Sequence, residues 1–309
     1  VYPDRGWRRL RDLLGRQHGL PPEWVLPGNG AAELFTWVAR DAAALGESLL
    51  PAPGFADYER ALACWHGAAR PLPLPLRWDA AFPQPFPAAA AGAEAADVLW
   101  ITNPHNPTGQ LWSRASLEPL LARQALVICD EAFLPLVPGG EAQSLVPLLP
   151  RHPNLVVVRS LTKLLSLAGL RLGYALAAPQ RLERWAAWRD PWPVNGLALA
   201  VGERLLDRPG WLPRWTQRVQ RWTAREGPWL ARQLARWPLL TPMPSAANFL
   251  LVRSDQSLEP LCRGLEERHG ILLRDCRSFE GLGPEWLRIG LQNRRGHRRL
   301  LRALERELG

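Results

Sequence analysis

Lysine is almost absent from this chain. Of its 38 Lys+Arg residues only Lys163 is a lysine, and the other 37 are arginines. Arginine would serve at that place if the need were surface charge, a phosphate clamp or solubility. It would not serve if the need were a nitrogen that loses its proton and attacks a carbonyl. Guanidinium stays protonated at any working pH, whereas a desolvated lysine amine can be tuned to neutrality. Apolar runs of about 18 residues or more are also lacking, which excludes an ordinary transmembrane helix. The four cysteines (Cys64, Cys129, Cys262, Cys276) are far apart, match no zinc spacing and imply no metal site. Their small number fits a reducing, cytoplasmic setting. The chain begins at Val1 without a signal-peptide pattern, and an N-terminal piece is expected to precede it.

What is present is ordinary for a globular protein: 309 residues, 47% hydrophobic and 22% charged, enough for one large or two smaller domains. The net charge of +9 is spread along amphipathic helices, with no block of five like charges. Many of the 16 tryptophans stand among arginines, as at Trp185, Trp188, Trp211, Trp215, Trp222, Trp229 and Trp237. Interleaved rings and cations suit nucleic acid, but at helical spacing they suit core-facing rings beside extended arginines better. A basic nucleic-acid-binding protein is therefore the alternative from another class, and small anionic ligands are the preferred partners.

The periodicity predicts helices over 6–18, 33–45, 56–66, 88–96 and 113–123, with a proline-rich irregular stretch over 71–87. Strands are expected at 24–26, 48–50, 98–102, 125–129, 155–158 and 172–177. Polar motifs follow the strands at their C-terminal ends, the pattern of an open α/β sheet with its ligand site along that edge. Long amphipathic helices over 196–236 precede a βαββα set: strand 249–253, helix 257–269, strands 271–274 and 286–290, and helix 294–307. The expected division is an N-terminal segment, 1–22, associated with the smaller domain; a large domain, 23–210; and a smaller α+β domain, 211–309.

The strand ends carry the chemistry. Gly28-Asn-Gly-Ala-Ala32 after a short strand is a strand–turn–helix entry that suits a phosphate, or is simply a tight turn. Asp130 closes an apolar strand, where a buried carboxylate could partner a protonated ring nitrogen. Asn106, in a loop flanked by prolines, could offer a donor to a ring oxygen. Ser160 and Thr162 flank Lys163, Arg171 follows eight residues later, and Phe55 could stack on a ring face.

As an ordered set, Asn106-Pro-Thr-Gly109, Asp130-Glu-Ala132 and Ser160-x-Thr-Lys163 with Arg171 resemble the fold-type I, pyridoxal-phosphate-dependent class I/II aminotransferase superfamily. The resemblance covers nearly the whole chain. It implies a mostly parallel central sheet with helices on both faces, plus a smaller C-terminal α+β domain. It also implies pyridoxal 5'-phosphate as cofactor, attached at Lys163. Asp130 would stand at the pyridine nitrogen, Asn106 at the ring oxygen and Phe55 against the ring. The phosphate would fall to the Ala31 and Ala32 amides, Ser160, Thr162 and Arg171. Tyr2-Pro3 is similar to the element whose tyrosine reaches the phosphate of a neighbouring subunit, implying a homodimer with shared sites. Arg274 and Arg288 match the arginines that hold substrate anions.

Two branches are similar, the histidinol-phosphate aminotransferases and the L-threonine-O-3-phosphate decarboxylases of cobalamin biosynthesis. Pro53-Gly-Phe-Ala-Asp-Tyr58, Asp130-Glu-Ala-Phe133 and Leu273-Arg-Asp-Cys276 lean to the second. Phe133 stands where the aminotransferase usually has a tyrosine, and Phe55 where a tyrosine often stacks. The expected reaction is decarboxylation of L-threonine O-3-phosphate to (R)-1-aminopropan-2-ol O-phosphate, with transamination of histidinol phosphate as the alternative.

Overall fold

The computed structural model describes residues 2–88 and 96–309. The helix expected over 88–96 falls, for 89–95, outside the described residues.

From the N-terminus, α1 (Arg8–His18) leads to β1 (Val25–Asn29), α2 (Gly30–Leu45), β2 (Ser48–Ala52), α3 (Asp57–Ala63) and β3 (Ala69–Pro73). Then come β4 (Val98–Thr102), α4 (Arg114–Leu117), β5 (Leu126–Asp130), β6 (Leu155–Ser160), the one-turn α5 (Leu161–Leu164) and β7 (Leu172–Ala177). These strands form one sheet in the order β1-β7-β6-β5-β4-β2-β3. Pairings from β3 through β6 are parallel, and β7 runs antiparallel to both neighbours. Every residue of β4, β5, β6 and β7 is buried. A parallel strand covered on both faces requires that, which is why these segments read as unbroken apolar runs. Strand β3 runs from Ala69 through Pro73, into the stretch expected to be irregular, 71–87. Its Pro71 and Pro73 are tolerated because it is an edge strand, where a missing N–H costs no ladder bond.

The second half of the chain contributes α6 (Pro179–Trp188), α7 (Gly196–Leu206) and α8 (Trp211–Leu234), then a second sheet. That sheet contains β8 (Thr241–Pro242), β9 (Phe249–Arg253), β10 (Arg274–Asp275) and β11 (Trp286–Gly290), in the order β10-β11-β9-β8. Helices α9 (Glu259–His269) and α10 (Arg294–Leu308) cover it. The strand expected over 271–274 is therefore confined to Arg274–Asp275. The helix expected over 113–123 breaks after Leu117, where Pro119 forces the continuation into a 3-10 turn.

Among the described residues two large apolar cores result, beside two small clusters around Phe279 and Leu134. Helix α8 serves both, with Leu212 and Trp215 in the first and Leu230 and Leu234 in the second. The N-terminal segment was expected beside the smaller unit. Instead Trp7, Leu10 and Leu14 are buried in the first core, because the apolar face of α1 packs on α7 and β1.

Candidate active site

The C-terminal ends of β4, β5 and β6 lie side by side, and the polar residues that terminate them converge. Asp130 ends β5 with its carboxylate buried. One oxygen accepts from the Tyr58 hydroxyl at 2.7 Å, the other from the Ala132 N–H at 2.9 Å. The Tyr58 oxygen also lies 2.9 Å from Oγ1 of Thr102, at the end of β4. Burial pushes the Asp130 carboxyl up to about 6, against the opposing pull of Tyr58, Ala132 and the Lys163 charge.

Lys163 lies on α5, directly beyond β6, with Nζ 5.4 Å from the centroid of the Phe133 ring. Its amine is held below the ordinary lysine value by partial burial first, then by Arg288 and Arg171. Asp130 acts in the other direction. On either side of it Ser160 and Thr162 are buried, their hydroxyls 2.7 Å apart.

Arg171 has a left-handed backbone (φ 55°), and its Nη1 donates to the Ala168 carbonyl at 3.2 Å. Its guanidinium lies against Gly30 so closely that a Cβ there would come within 2.9 Å of the Arg171 Cζ. A Cβ on Gly173 would likewise meet the Ala31 backbone nitrogen at 2.7 Å. Glycine at these two places lets a guanidinium and the first amides of α2 share one small space.

The opposite wall comes from the second sheet. Arg274 on β10 and Arg288 on β11 are direct partners in an antiparallel register. Arg288 donates to the Asn106 carbonyl oxygen and lies 4.9 Å over the Phe249 ring. Phe249 in turn meets Phe133 edge-on at 5.2 Å, so the arginine and the lysine share an aromatic wall. Arg274 donates to Ser278 Oγ at 2.7 Å and lies 5.4 Å from the Phe279 ring. Phe55 remains 37% exposed while Tyr58 and Phe35 meet it edge-on at 5.5 and 6.5 Å.

Tyr2 stands apart from this cluster. It stacks on Trp192 at 4.5 Å and is 77% exposed.

Behind these residues lies a buried charge network absent from the sequence-based expectations. Arg159, on β6, pairs with Glu131 at 2.5 Å and with Glu141 at 2.7 Å. Ser144 Oγ and the Leu145 N–H also donate to Glu131, at 2.9 and 2.7 Å. Glu131 is thus the buried anchor of the loop that begins at Asp130. Tyr58 was also missed as the partner of Asp130. Its only sequence signal was its place at the end of the Pro53–Tyr58 stretch.

The chain belongs to the aminotransferase class I and II family, whose sequence pattern matches residues 7–304. It is a pyridoxal 5'-phosphate-dependent enzyme of the group that contains decarboxylases and aminotransferases. A threonine-phosphate decarboxylase of Salmonella typhimurium is 34% identical over 319 residues, 99% of this chain and 83% of that protein. A histidinol-phosphate aminotransferase of Symbiobacterium thermophilum is 35% identical over 314 residues, 100% of this chain and 83% of that protein. The solved L-threonine-O-3-phosphate decarboxylase of Porphyromonas gingivalis superposes with a TM-score of 0.83 at 25% identity, covering 99% of this chain and 90% of that one.

The residues present fit the cofactor. The space at Gly30 and Gly173 that a Cβ would fill gathers a guanidinium with backbone donors, the donor set a phosphate takes. A buried carboxylate and a lysine amine with depressed proton affinity complete the set.

Proposed function

We propose that the chain decarboxylates L-threonine O-3-phosphate to (R)-1-aminopropan-2-ol O-phosphate, the amino alcohol phosphate of the cobalamin side chain. In this reading the large unit, 23–210, holds the cofactor, and 211–309 brings the substrate arginines. Bound pyridoxal 5'-phosphate supplies an electron sink for cleavage of a bond at the carbon that carries the substrate amine.

The chain's own residues do the rest. Lys163 would be the point of covalent attachment, and its free amine would carry a proton to the substrate Cα. Asp130 would keep a proton on the ring nitrogen, Asn106 would serve the ring oxygen, and Phe55 would stack on the ring. Ser160, Thr162, Arg171 and the Ala31 and Ala32 amides hold the cofactor phosphate. Arg274 and Arg288 hold the substrate phosphate and carboxylate, which orients the bond to be broken. Tyr2 of each protomer reaches toward the site of its partner, so the working unit is a homodimer.

The observation that carries the substrate reading is the pair Arg274 and Arg288, adjacent across one register position, with Arg288 bonded to Asn106. Two guanidiniums so placed suit a small molecule bearing two anionic groups. A second reading is transamination of histidinol phosphate, favoured by the 35% identity to the Symbiobacterium enzyme. Two product assays on one sample of holoenzyme separate them. Carbon dioxide released from L-threonine O-3-phosphate supports the decarboxylase. Glutamate formed from histidinol phosphate and 2-oxoglutarate, without carbon dioxide from threonine phosphate, would overturn it.

A further inference from the structure

Away from the site, between α10 and the turn that ends α8, lies a groove of about 560 Å³. Four guanidiniums line it: Arg236 from the turn, and Arg295, Arg298 and Arg302 from α10. Among the described residues none of these four has a carboxylate within ion-pair distance, and the one side-chain hydrogen bond of Arg236 is a 3.5 Å bond to the Gln233 side-chain oxygen. Their neighbours are spoken for. Arg294 pairs with Glu226 at 3.0 Å, Arg268 pairs with Glu307, and Arg299 donates to the carbonyls of His269 and Gly270. Four like charges around one concavity repel each other, and Glu305 is the sole acid in the lining. An anion of several charges would relieve that repulsion, and guanidiniums in such an array bind phosphate oxygens in forked pairs.

Shape narrows the class. Arg295, Arg298 and Arg302 recur along one face of α10 over about 10 Å of helix axis. That suits a short chain of linked phosphates better than a single one. Trp237 and Leu301, both partly buried against the second core, form the apolar part of the lining. An indole beside phosphate-binding cations offers a stacking surface for a base. Glu305 closes one end against a longer polyanion.

We propose that this groove binds a nucleoside triphosphate, separately from the catalytic site. The probe is ATP, titrated into the holoenzyme by calorimetry, with tripolyphosphate and a single-stranded oligonucleotide in parallel. One ATP per chain is expected, not displaced by L-threonine O-3-phosphate, and weakened about tenfold by Arg298→Ala or Arg302→Ala. Trp237→Phe should weaken ATP while leaving tripolyphosphate unchanged, and Arg306→Ala, outside the groove, should change neither. Melting temperatures matched to wild type establish that the variants are folded. The proposal is overturned by ATP binding that survives the double Arg298→Ala, Arg302→Ala change, by displacement with threonine phosphate, or by no saturable binding. Tripolyphosphate binding as tightly as ATP removes the base from the assignment. An oligonucleotide that outcompetes ATP replaces it with nucleic acid.

Discussion

Replacing Asp130 by asparagine is expected to stabilise the cofactor-free protein at pH 8 while removing its use of the cofactor. Burial raises the carboxyl from 3.8 to about 6 in the fold. The folded pKa thus lies above the unfolded one, so the ionised carboxylate burdens the fold. The penalty is complete above pH 6, shrinks as pH falls through 6, and is gone below the unfolded value. A gap of about two units corresponds to about 3 kcal/mol at ~1.4 kcal/mol per unit, falling to about half of that at pH 5. Asparagine can preserve the local bonds by reversing them. Its oxygen accepts from the Ala132 N–H, its amide donates to the Tyr58 oxygen, and the Tyr58 hydroxyl turns to Thr102, 2.9 Å away. Urea unfolding of the cofactor-free wild type and Asp130→Asn at pH 8 and pH 5 measures the difference. In a chain of 309 residues, 3 kcal/mol is about 5 °C in melting temperature at ~2.1 cal/mol/K per residue. A variant less stable than wild type at pH 8, or a gap that widens on acidification, would refute the reasoning. Undiminished cofactor binding would remove Asp130 from its assigned place.

Lys163→Arg should keep the fold and abolish turnover, with no borohydride-sensitive absorbance near about 410–430 nm; an active variant refutes the attachment site. Tyr58→Phe deletes a donor to Asp130, raising its carboxyl further and costing about 1–3 kcal/mol. Cofactor loss on acidification should then begin at a higher pH than in wild type, read by dialysis and absorbance. Arg159→Met leaves Glu131 buried beside Asp130 without its cation, and should lower unfolding free energy by about 3–5 kcal/mol in urea titration. Arg288→Lys removes the forked geometry while keeping the charge, so KM for threonine phosphate should rise by about tenfold or more, with cofactor absorbance unchanged.

Residues that declare themselves by local contrast were legible in the sequence. Lys163 stood out because arginine had displaced every other lysine, and Asp130 because an acid ended an unbroken apolar strand. The glycines before α2 stood out as a strand-to-helix turn, though the helix begins at Gly30, three residues before the expected start. What depended on long-range register was not legible. Tyr58 meets Asp130 across 72 positions, and Arg159 meets Glu131 only because β5 and β6 are adjacent. The partnership of Arg274 and Arg288 likewise comes from the β10–β11 register. Strand β3 was hidden by its own prolines, whose tolerance follows from its place at the sheet edge and not from its composition.

The charges around Lys163 tie the two anions of the proposed reaction to the two proton tasks of one amine. Partial burial, Arg288 and Arg171 all favour the neutral amine, and Asp130 alone opposes them. Before any ligand arrives, that balance suits an amine that must attack a carbonyl. On the proposed assignment, a phosphate at Arg171 and a second anion at Arg288 would neutralise the two cations that depress the amine. Each bound anion thus acts to raise its proton affinity, against the burial that is the first cause of the depression. On this assignment the amine is least basic when it is needed as a nucleophile. It becomes more basic when, with both anions bound and the lysine released, it has to carry a proton to the substrate carbon. Arginine at position 163 could perform neither task, which gives a physical reason for the one lysine that this arginine-rich chain retains.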